Sequence, residues 1–330
     1  MSFELGLVIG KFYPPHRGHQ FLIESALAAS RRVVVIVCER PTDTIPGPLR
    51  AAWLRELTPS AEVQLIDDRY DEQDSRVWAE NTVRWLGRAP DAVFTSEDYG
   101  ERYASLMGSV HVSVDPGRHQ VPISGSAIRA DPFAHWGFLG PPLRGHFARR
   151  VCVLGAESTG TTTLARALAT HLDTTWVPEY GREYSARKLE RGESTWHTDE
   201  FTHIAAEQTR REDEAARAAN RVVIGDTNAF ATRLWHRRYL GEESARVRAI
   251  AEQGACDLYL LTGDEVPFVQ DGLRDGEHVR NEMHSWFVEA LEAQSTPWKL
   301  LRGAHEVRIA SARALIASLF DGSAWQPTRR

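Results

Sequence analysis

A chain of 330 residues is long enough for two ordinary domains, and its 42% hydrophobic and 25% charged residues are typical of soluble globular proteins. A net charge of −6 argues against a nucleic-acid-binding surface spread over the protein, and no apolar stretch approaches membrane-spanning length. The N-terminus lacks the basic segment and apolar core of a signal peptide. We therefore expect a cytoplasmic protein that binds neither nucleic acid nor membranes, whether as a monomer or as a homo-oligomer.

The first half of the chain alternates between strand-like and helix-like segments. Unbroken apolar runs are typical of strands buried on both faces of a sheet, and amphipathic segments between them indicate helices. Such alternation predicts an α/β fold, with a parallel sheet covered by helices on both sides. The predicted strands are Leu5–Ile9, Val33–Val37, Val63–Ile66, Ala92–Phe94 and Val110–Val114, and the predicted helices are Phe21–Ala29, Leu49–Leu57 and Arg76–Leu86.

A ten-residue segment, G-K-F-Y-P-P-H-R-G-H, links the first predicted strand to the first helix. His16 and His19 lie three residues apart and should share one face of the helix start. A helix N-terminus offers free backbone N–H groups and a partial positive charge. Adding two imidazoles there predicts a site for a phosphate under attack.

A second segment, I-S-G-S-A-I-R at residues 123–129, has the features of a partner for the first. Either Ser124 or Ser126 can cap a helix and leave backbone amides for phosphate oxygens, and Arg129 follows one turn later. Together the two segments resemble the HxGH nucleotidyltransferases, which transfer AMP from ATP to a phosphate acceptor. The resemblance implies that His16, His19, Lys11 and Arg129 stabilise charge on the transferred group and on the leaving pyrophosphate.

Glycine, proline and arginine dominate residues 131–150, which is the composition of a loop or linker. We place a domain boundary near residue 147, giving domains 1–147 and 148–330. The pattern then restarts with a predicted strand at Val151–Leu154. Further predicted strands are 175–177, Arg221–Ile224, Leu258–Leu261 and Trp298–Leu301, and the predicted helices are Ala165–His171, Asp199–Ala219, Val279–Ala293 and Glu306–Phe320.

The residues after Val151–Leu154 form a variant phosphate-binding loop. Gly155, Gly160 and Thr162 fit the pattern G-x-x-x-x-G-K-[ST], and Thr162 supplies the hydroxyl that binds Mg²⁺ in such loops. The lysine position holds Thr161, so the point charge that reaches the outer phosphates is absent from the loop. We expect weak ATP binding, slow phosphoryl transfer, or a substitute cation from Arg182 or Arg274.

Two carboxylates and a polar loop complete a kinase-like set. Asp226 follows the strand Arg221–Ile224, where an acidic side chain can hold Mg²⁺ or its water. Glu179 follows residues 175–177 and can accept a proton from a sugar hydroxyl. The sequence leaves open which carboxylate is the base and which binds metal. Asp271-Gly-Leu-Arg274 lies in a loop suited either to a lid over phosphates or to an exposed charged turn.

Taken together, these blocks resemble the bifunctional nicotinamide-nucleotide adenylyltransferase / ribosylnicotinamide kinase family nearly end to end. The matching blocks are G-K-F-Y-P at 10, T-S-E at 95, V-D-P-x-R at 114, I-S-G-S-A-I-R at 123, L-G-A-E-S at 154, E-Y-G-R-E at 179 and D-G-L-R at 271. The resemblance implies a Rossmann-like nucleotidyltransferase domain followed by a P-loop kinase domain. The second domain would phosphorylate ribosylnicotinamide to nicotinamide mononucleotide (NMN), and the first would adenylylate NMN to NAD, with ATP and Mg²⁺ in both reactions.

The same resemblance implies which residues contact ligands. Arg50, Trp53 and Trp78 are expected to bind substrate in the first domain, as are Tyr180 and Arg182 in the second. A tryptophan there can stack on the pyridinium, although a core position fits each tryptophan as well. The residues expected to bind ATP are Gly10, Phe12, Arg118, Ser124, Ser126, Gly155, Glu157, Ser158, Thr159, Gly160, Thr161, Thr162, Thr163 and Arg274.

Two departures from the family fall in the second half. Thr161 replaces the loop lysine, and the family's D-T-D is Asp226-Thr-Asn228 here. They favour an alternative in which the second domain binds nucleotide as a sensor and only the adenylyltransferase is active. Another acceptor, such as a different pyridine or sugar nucleotide, is a third reading. Some family members begin with a DNA-binding region, whereas this chain starts directly on the first strand, so a repressor role is not expected.

Three cysteines, Cys38, Cys152 and Cys256, are far apart and form no C-x-x-C pair. Each lies in or beside an apolar strand-like run. We predict that all three are reduced thiols in the core.

Overall fold

A computed structural model describes residues 2–70, 74–254, 256–272 and 276–321. The chain forms two compact units, residues 1–143 and residues 144–330. In the part of the chain that the structure describes, no helix has the length and apolar character needed to cross a membrane. All three cysteines are buried free thiols, which confirms that prediction.

The N-terminal unit contains a five-stranded sheet in the order β3-β2-β1-β4-β5, and every paired strand is parallel. The order reverses between β1 and β4, and ligands of open α/β sheets bind beyond the carboxyl ends of strands at such a switch point. The strands are β1 (Phe3–Gly10), β2 (Ser30–Glu39), β3 (Glu62–Asp67), β4 (Ala92–Thr95) and β5 (Val110–Ser113). The helices are α1 (Arg17–Ala29), α2 (Gly47–Leu57), α3 (Ser75–Leu86), α4 (Gly100–Leu106) and α5 (Gly125–Ala130).

Burial explains why the first strands could be recognised from the sequence. In β2 six consecutive residues from Val33 to Cys38 are buried, because helices cover both faces of the sheet. Apolar side chains of α1, including Ile23 and Ala26, pack on one face. On the other face, α3 and α4 contribute Ala79 and Tyr103. The sheet is thereby held rigidly with the end of β1 at the switch point.

The C-terminal unit repeats this plan with the strand order β10-β9-β6-β8-β7, again parallel throughout. Its strands are β6 (Arg149–Leu154), β7 (Trp176–Val177), β8 (Val222–Asp226), β9 (Leu258–Thr262) and β10 (Trp298–Leu301). The helices, beginning with one that spans the division between the units, are α6 (Pro141–Phe147), α7 (Thr161–His171), α8 (Tyr180–Glu190), α9 (Thr198–Ala218), α10 (Ala229–Leu240), α11 (Ala245–Gln253), α12 (Arg280–Glu292) and α13 (His305–Ser318).

The predicted α/β fold class with two parallel sheets is confirmed, but the linker composition of residues 131–150 was misleading. That segment contains a short 3-10 helix at Trp136–Phe138 and the helix α6, and β6 already begins at Arg149. Pro141 opens α6, a position where proline is favoured because the first helical N–H has no partner to lose. Trp136, Leu139 and Leu143 are buried, so tertiary packing stabilises a segment whose local composition indicates a loop.

Candidate functional site

The two motif histidines form a stacked pair at the start of α1. His16 is the N-cap residue, and its Nδ1 accepts a hydrogen bond of 3.3 Å from the backbone N–H of His19. The two rings stack with centroids 3.7 Å apart, and Phe12 contacts His19 edge-on at 5.0 Å. A Cβ on Gly18 would lie 3.1 Å from the His16 ring, so the glycine between the histidines allows the ring to lie against the backbone.

Burial keeps both imidazoles neutral near pH 7. It lowers the pKa of His16 to about 4, and the charge of Arg118 adds to the shift. The pKa of His19 is well below its usual value because of burial, the neighbouring His16 and Arg118. Since Nδ1 of His16 accepts a hydrogen bond, its proton must be on Nε2. In the free protein, the pair therefore offers N–H donors to a phosphate, with the positive charge coming from arginine and lysine.

The second segment is positioned beside the first by close backbone contact. Ser124, rather than Ser126, caps α5 by accepting a 3.1 Å hydrogen bond from the N–H of Ala127. A Cβ on Gly125 would lie 2.6 Å from the carbonyl oxygen of Tyr13. Arg129 donates to that same oxygen and to Oγ of Ser126 at 3.1 Å, and its guanidinium lies 4.4 Å from the centroid of the Tyr13 ring.

One cavity at the carboxyl end of β1 collects most of the predicted nucleotidyltransferase residues. Arg40, Asp43 and Tyr99 also line the cavity, although the sequence did not single them out. The one feature of the sequence that could have indicated them is their position just after β2 and β4. Glu97 of the T-S-E block pairs with Arg118 at 3.2 Å across the same wall. The cavity is lined by the predicted residues Gly10, Lys11, Phe12, His16, His19, Arg118, Ser124, Ser126 and Arg129.

Three residues predicted to bind substrate do not line this cavity. Arg50 is fully buried, donates to the carbonyl oxygens of Ile45, Lys11 and Cys38, and pairs with Asp43 at 2.6 Å. Its guanidinium thereby holds the loop that follows β1 in place. The other two are packed tryptophans: Trp53 is 5% exposed in α2, and Trp78 of α3 contacts Tyr70 and Trp85 edge-on.

In the C-terminal unit, residues 155–160 form a phosphate-binding loop between β6 and α7. A Cβ on Gly155 would lie 2.3 Å from Oγ1 of Thr262, so only glycine fits there. Gly160 has φ of +88°, a left-handed conformation favoured by glycine, and it caps α7 without a side chain that would block the helix N-terminus. Thr159 is buried, and its hydroxyl hydrogen-bonds the carbonyl oxygen of Ala156 and the hydroxyl of Thr262. These bonds hold the loop in place.

Asp226 and Thr162 meet at the mouth of this loop. Oγ1 of Thr162 donates a 2.6 Å hydrogen bond to Oδ2 of Asp226. The other oxygen, Oδ1, is buried and has no hydrogen-bond partner among the described residues. Burial raises the pKa of Asp226, whereas the hydroxyls of Thr162 and Thr161 and the charge of Arg182 lower it.

This arrangement fits Mg²⁺, which prefers oxygen ligands and is held in such sites by one or two protein groups together with substrate phosphates. The described residues contain no cluster of three or more histidine, cysteine or acidic side chains able to hold a metal by themselves. A divalent ion at Asp226 and Thr162 would therefore depend on a bound nucleotide.

Thr161, at the position of the usual lysine, lines the cavity over the loop. Arg182 of α8 lines the same cavity and forms an ion pair with Asp271. Of the two cations expected to substitute for the lysine, Arg182 is thus at the site, whereas Arg274 lies outside the described residues.

Asn228 has a role that differs from the one its motif suggested. Its side-chain oxygen accepts from the N–H groups of Phe230 and Ala231 at 3.1 and 3.4 Å and so caps α10. Asparagine and aspartate cap helices about equally well. The loss of a carboxylate from D-T-D therefore does not remove a group that points at the metal site.

The rest of the cavity brings together residues from four helices. Of the predicted residues, Gly155, Glu157, Ser158, Thr161, Thr162, Glu179 and Arg182 line it. Tyr180 does not, because its ring is buried between Arg211 and His203. Thr163 is exposed on the first turn of α7, away from the described cavity lining.

An aromatic wall lines the cavity that contains the phosphate-binding loop, and the sequence did not identify it. It consists of Trp196, Phe201, Trp235 and Tyr239, with Trp196 lying 5.0 Å from Phe201 and 5.2 Å from Tyr239 between ring centroids. These residues come from α9, α10 and the segment before α9. Their spacing in the sequence matches ordinary core aromatics, so only the fold reveals the wall.

Three arginines that the sequence did not single out hold the loop in shape. Arg238 of α10 pairs with Glu157 at 2.7 Å, and the N–H of Gly276 donates to the other oxygen of Glu157. Arg280 donates to the carbonyl oxygen of Ser158 at 3.1 Å, and Arg308 donates to that of Thr159 at 2.9 Å. Since these bonds occupy the loop's carbonyl groups, they favour a conformation in which its N–H groups face the cavity.

Comparison with known proteins finds one matching family model and two similar curated relatives. The model of the AAA domain family matches residues 150–308, the part that contains the phosphate-binding loop. The trifunctional NAD biosynthesis/regulator protein NadR of Escherichia coli K12 is 31% identical over 315 residues, which cover 87% of this chain and 76% of the relative. NadR of Salmonella typhimurium LT2 is 30% identical over the same shares of both chains.

Solved structures agree on the fold. A crystal structure of NadR in complex with NR superposes with a TM-score of 0.80 at 21% identity and covers 99% of this chain and 98% of that one. A crystal structure of NadR with NAD and AMP-PNP has a TM-score of 0.74 at 20% identity and covers 98% of each chain. At this level of identity the superposition establishes the two-sheet architecture.

Proposed function

The chain belongs to the NadR family of NAD-biosynthesis enzymes, and from this premise we propose that each unit carries out one transfer reaction. The N-terminal unit joins the AMP group of ATP to NMN, giving NAD and pyrophosphate. The C-terminal unit transfers the γ-phosphoryl group of ATP to ribosylnicotinamide, giving NMN and ADP. Two related crystal structures support this assignment of ligands, since one holds NR and the other holds NAD with AMP-PNP.

In the N-terminal unit the chain supplies positioning and hydrogen bonds rather than a covalent nucleophile. A phosphate oxygen of NMN attacks the α-phosphorus of ATP, and the bond to the β-phosphate oxygen breaks. Neutral His16 donates from Nε2 to the transferred phosphate, and Lys11, Arg118 and Arg129 provide positive charge along the cavity wall. The free N–H groups at the start of α5 add a second set of donors.

In the C-terminal unit the two carboxylates have separate roles. Asp226, joined to Thr162, belongs to the metal site, where Mg²⁺ would neutralise charge on the nucleotide phosphates. Glu179 lines the cavity and makes no capping bond to its own helix within the described region. It accepts the proton from the ribose hydroxyl as that oxygen bonds to the γ-phosphorus of ATP.

The aromatic wall provides the recognition site for the acceptor's base. Ribosylnicotinamide carries a positively charged pyridinium ring, and aromatic faces attract cations. Trp196 and Tyr239 lie 5.2 Å apart between centroids and line the same cavity as Glu179. This wall therefore favours a flat cationic acceptor over a neutral sugar.

The observation that carries the proposal is the presence of two differently built phosphate sites in one chain. One pairs stacked histidines with the helix start at Ser124, and the other pairs a phosphate-binding loop with the bond between Thr162 and Asp226. The test is product chromatography of the purified chain with Mg-ATP and either ribosylnicotinamide or NMN. NAD in both tubes is the expected result, and no NAD from NMN would overturn the first assignment.

Thr161 favours a second candidate, in which the C-terminal unit binds nucleotide as a sensor and transfers phosphate poorly. NAD from the NMN tube alone, with ATP bound by the second unit in calorimetry, would support that candidate. The second departure from the family, Asn228, does not favour the sensor candidate, because its amide caps α10. If neither tube contained NAD, but a different phosphorylated acceptor were consumed, the acceptor would have to be reassigned.

A further inference from the structure

Gln208 is a buried polar residue in the middle of α9 that none of the proposed steps uses. It is 1% exposed, yet it lines the cavity over the phosphate-binding loop. A buried amide is retained only where its hydrogen bonds are made. Its partners therefore indicate what it does.

The Gln208 amide makes three hydrogen bonds, and they fix its orientation. Oε1 accepts from the backbone N–H of Tyr180 at 2.9 Å. Nε2 donates to Oε1 of Glu212 at 3.2 Å and lies 3.4 Å from the carbonyl oxygen of Thr227. One partner is an obligate donor and the other two are acceptors, so the reverse orientation of the amide is excluded.

These partners adjoin the two carboxylates of the proposed phosphoryl transfer. Tyr180 directly follows Glu179, and Thr227 directly follows Asp226. Thr227 has φ of +66°, an uncommon conformation for threonine that needs support from its neighbours. One side chain thus ties the start of α8 to the end of β8.

The bond to Tyr180 also fixes the backbone directly beside Glu179. The first N–H groups of a helix lack partners within the helix, and a capping side chain ordinarily accepts from the second or third of them. Here Gln208 accepts from the first of these groups, while the Glu179 carboxylate makes no capping bond within the described region and lines the cavity.

We propose that Gln208 is a positioning residue for phosphoryl transfer, holding the Glu179 carboxylate at a fixed place relative to Asp226. The proposal rests on the function proposed above for the C-terminal unit. A shift of about 1 Å in a reacting group can cost about 100-fold in rate, so removing the tie should lower kcat much more than it alters nucleotide binding. Glu212 is part of the same network: burial raises its pKa to about 7, and the hydrogen bond from the Gln208 amide acts in the opposite direction by favouring the carboxylate.

The test compares Gln208→Met with the full-length wild type. Methionine keeps the length of the side chain and removes both ends of the tie. We expect kcat for ribosylnicotinamide phosphorylation to fall about 10- to 100-fold, with the dissociation constant of AMP-PNP changed by less than about threefold. The matched control is Gln253→Met, the same replacement at an exposed position in α11, which should leave both quantities unchanged.

A double-mutant cycle separates positioning from general loss of packing. If Gln208 acts through Glu179, then Gln208→Met should cost less than about threefold in a Glu179→Gln background, because the group being positioned is already disabled. An equal loss in both backgrounds, or wild-type kcat in the single variant, would overturn the proposal. Conversion of NMN to NAD in the same samples reports that the N-terminal unit is intact.

Should Gln208→Met destabilise the unit, Gln208→Glu gives a second arm, since it keeps the acceptor for Tyr180 and replaces the donor. We expect Gln208→Glu to lower kcat as Gln208→Met does, and to cost equally little in the Glu179→Gln background. If the variant is folded and either result is not observed, the proposal is overturned. A wild type that binds AMP-PNP but never phosphorylates ribosylnicotinamide would instead overturn the proposed function, and the positioning role with it.

Discussion

The hydroxyl of Thr162 donates a 2.6 Å hydrogen bond to Oδ2 of Asp226, which joins the first turn of α7 to the carboxyl end of β8. Because the bond uses only one carboxylate oxygen, Oδ1 stays available at the mouth of the phosphate-binding loop. A second threonine, Thr161, lines the cavity next to this pair at the usual lysine position. Without a loop lysine, the charges beside the phosphate-binding loop include those of Asp226, Glu179 and Arg182 and of any bound nucleotide.

We expect Asp226→Asn to reduce ribosylnicotinamide phosphorylation by about 100-fold or more while the unit stays folded. The amide oxygen can still accept from Thr162, but the negative charge that would hold Mg²⁺ is lost. Burial raises the pKa of Asp226, so a neutral side chain should leave the thermal unfolding midpoint unchanged or higher. Initial rates and calorimetric unfolding check the two parts, and unchanged turnover would reduce Asp226 to a turn residue.

Asn228→Asp restores the family's D-T-D sequence, and we expect it to change phosphorylation by less than about twofold. Aspartate caps α10 as well as asparagine does, because each offers one oxygen to the N–H groups of Phe230 and Ala231. Steady-state rates across a Mg²⁺ titration provide the measurement. A tenfold gain would show that the missing carboxylate is a lost metal ligand after all.

Replacing Thr161 with lysine should strengthen binding of AMP-PNP to the C-terminal unit by about tenfold or more. A charge-assisted contact to a phosphate contributes about 1.5 to 3 kcal/mol. Thr161→Ser keeps the hydroxyl without adding charge and is the matched control, expected to bind like the wild type. Titration calorimetry measures both affinities. Weaker binding by the lysine variant would mean that this loop accommodates phosphates in a different way.

His19→Ala should abolish NAD formation from NMN and leave ribosylnicotinamide phosphorylation at the wild-type rate. The alanine removes a ring that stacks on His16 at 3.7 Å and lines the cavity at the carboxyl end of β1. The second activity reports folding of the other unit in the same tube. Adenylylation close to the wild-type rate would contradict the assignment of the histidine pair.

Acid should destabilise the N-terminal unit through His16. Its pKa is lowered to about 4 in the folded chain against about 6.5 unfolded, so the unfolded state binds more protons in this window. Stability is therefore lost as pH falls from about 6.5 to 4, by on the order of 3 kcal/mol from this group. His16→Asn keeps a capping acceptor but cannot titrate. The difference in free energy of unfolding between the wild type and this variant should therefore shrink as the pH falls.

Hydrogen exchange of peptides from α1, measured at pH 7 and pH 4.5 in both proteins, isolates this effect from the other unit. Rates must first be corrected for the intrinsic pH dependence of exchange. If the stability difference between wild type and variant is the same at both pH values, the pKa of His16 does not change on folding.

Several site residues could be predicted because their signals are local. Both the loop at Gly155–Gly160 and the pair of His16 and His19 lie between a strand and a helix that adjoin them in the chain. Each could therefore be recognised from a short stretch of sequence. Arg50 and Tyr180 are the opposite case, since both are buried and line neither cavity. Whether a side chain faces the cavity or the core depends on what packs against its element, and nothing in the neighbouring residues specifies that.

The sequence by itself determined the order of the strands, the two segments predicted to bind phosphate and the absence of a loop lysine, because each depends on residues that are neighbours in the chain. Tertiary structure alone decided which of these groups meet. Gln208, Tyr180 and Thr227 belong to three separate elements, and the aromatic wall of Trp196, Phe201, Trp235 and Tyr239 likewise assembles only when α9 and α10 pack. Contacts between distant segments follow from burial of apolar faces and pairing of buried polar groups, which are properties of the folded chain as a whole.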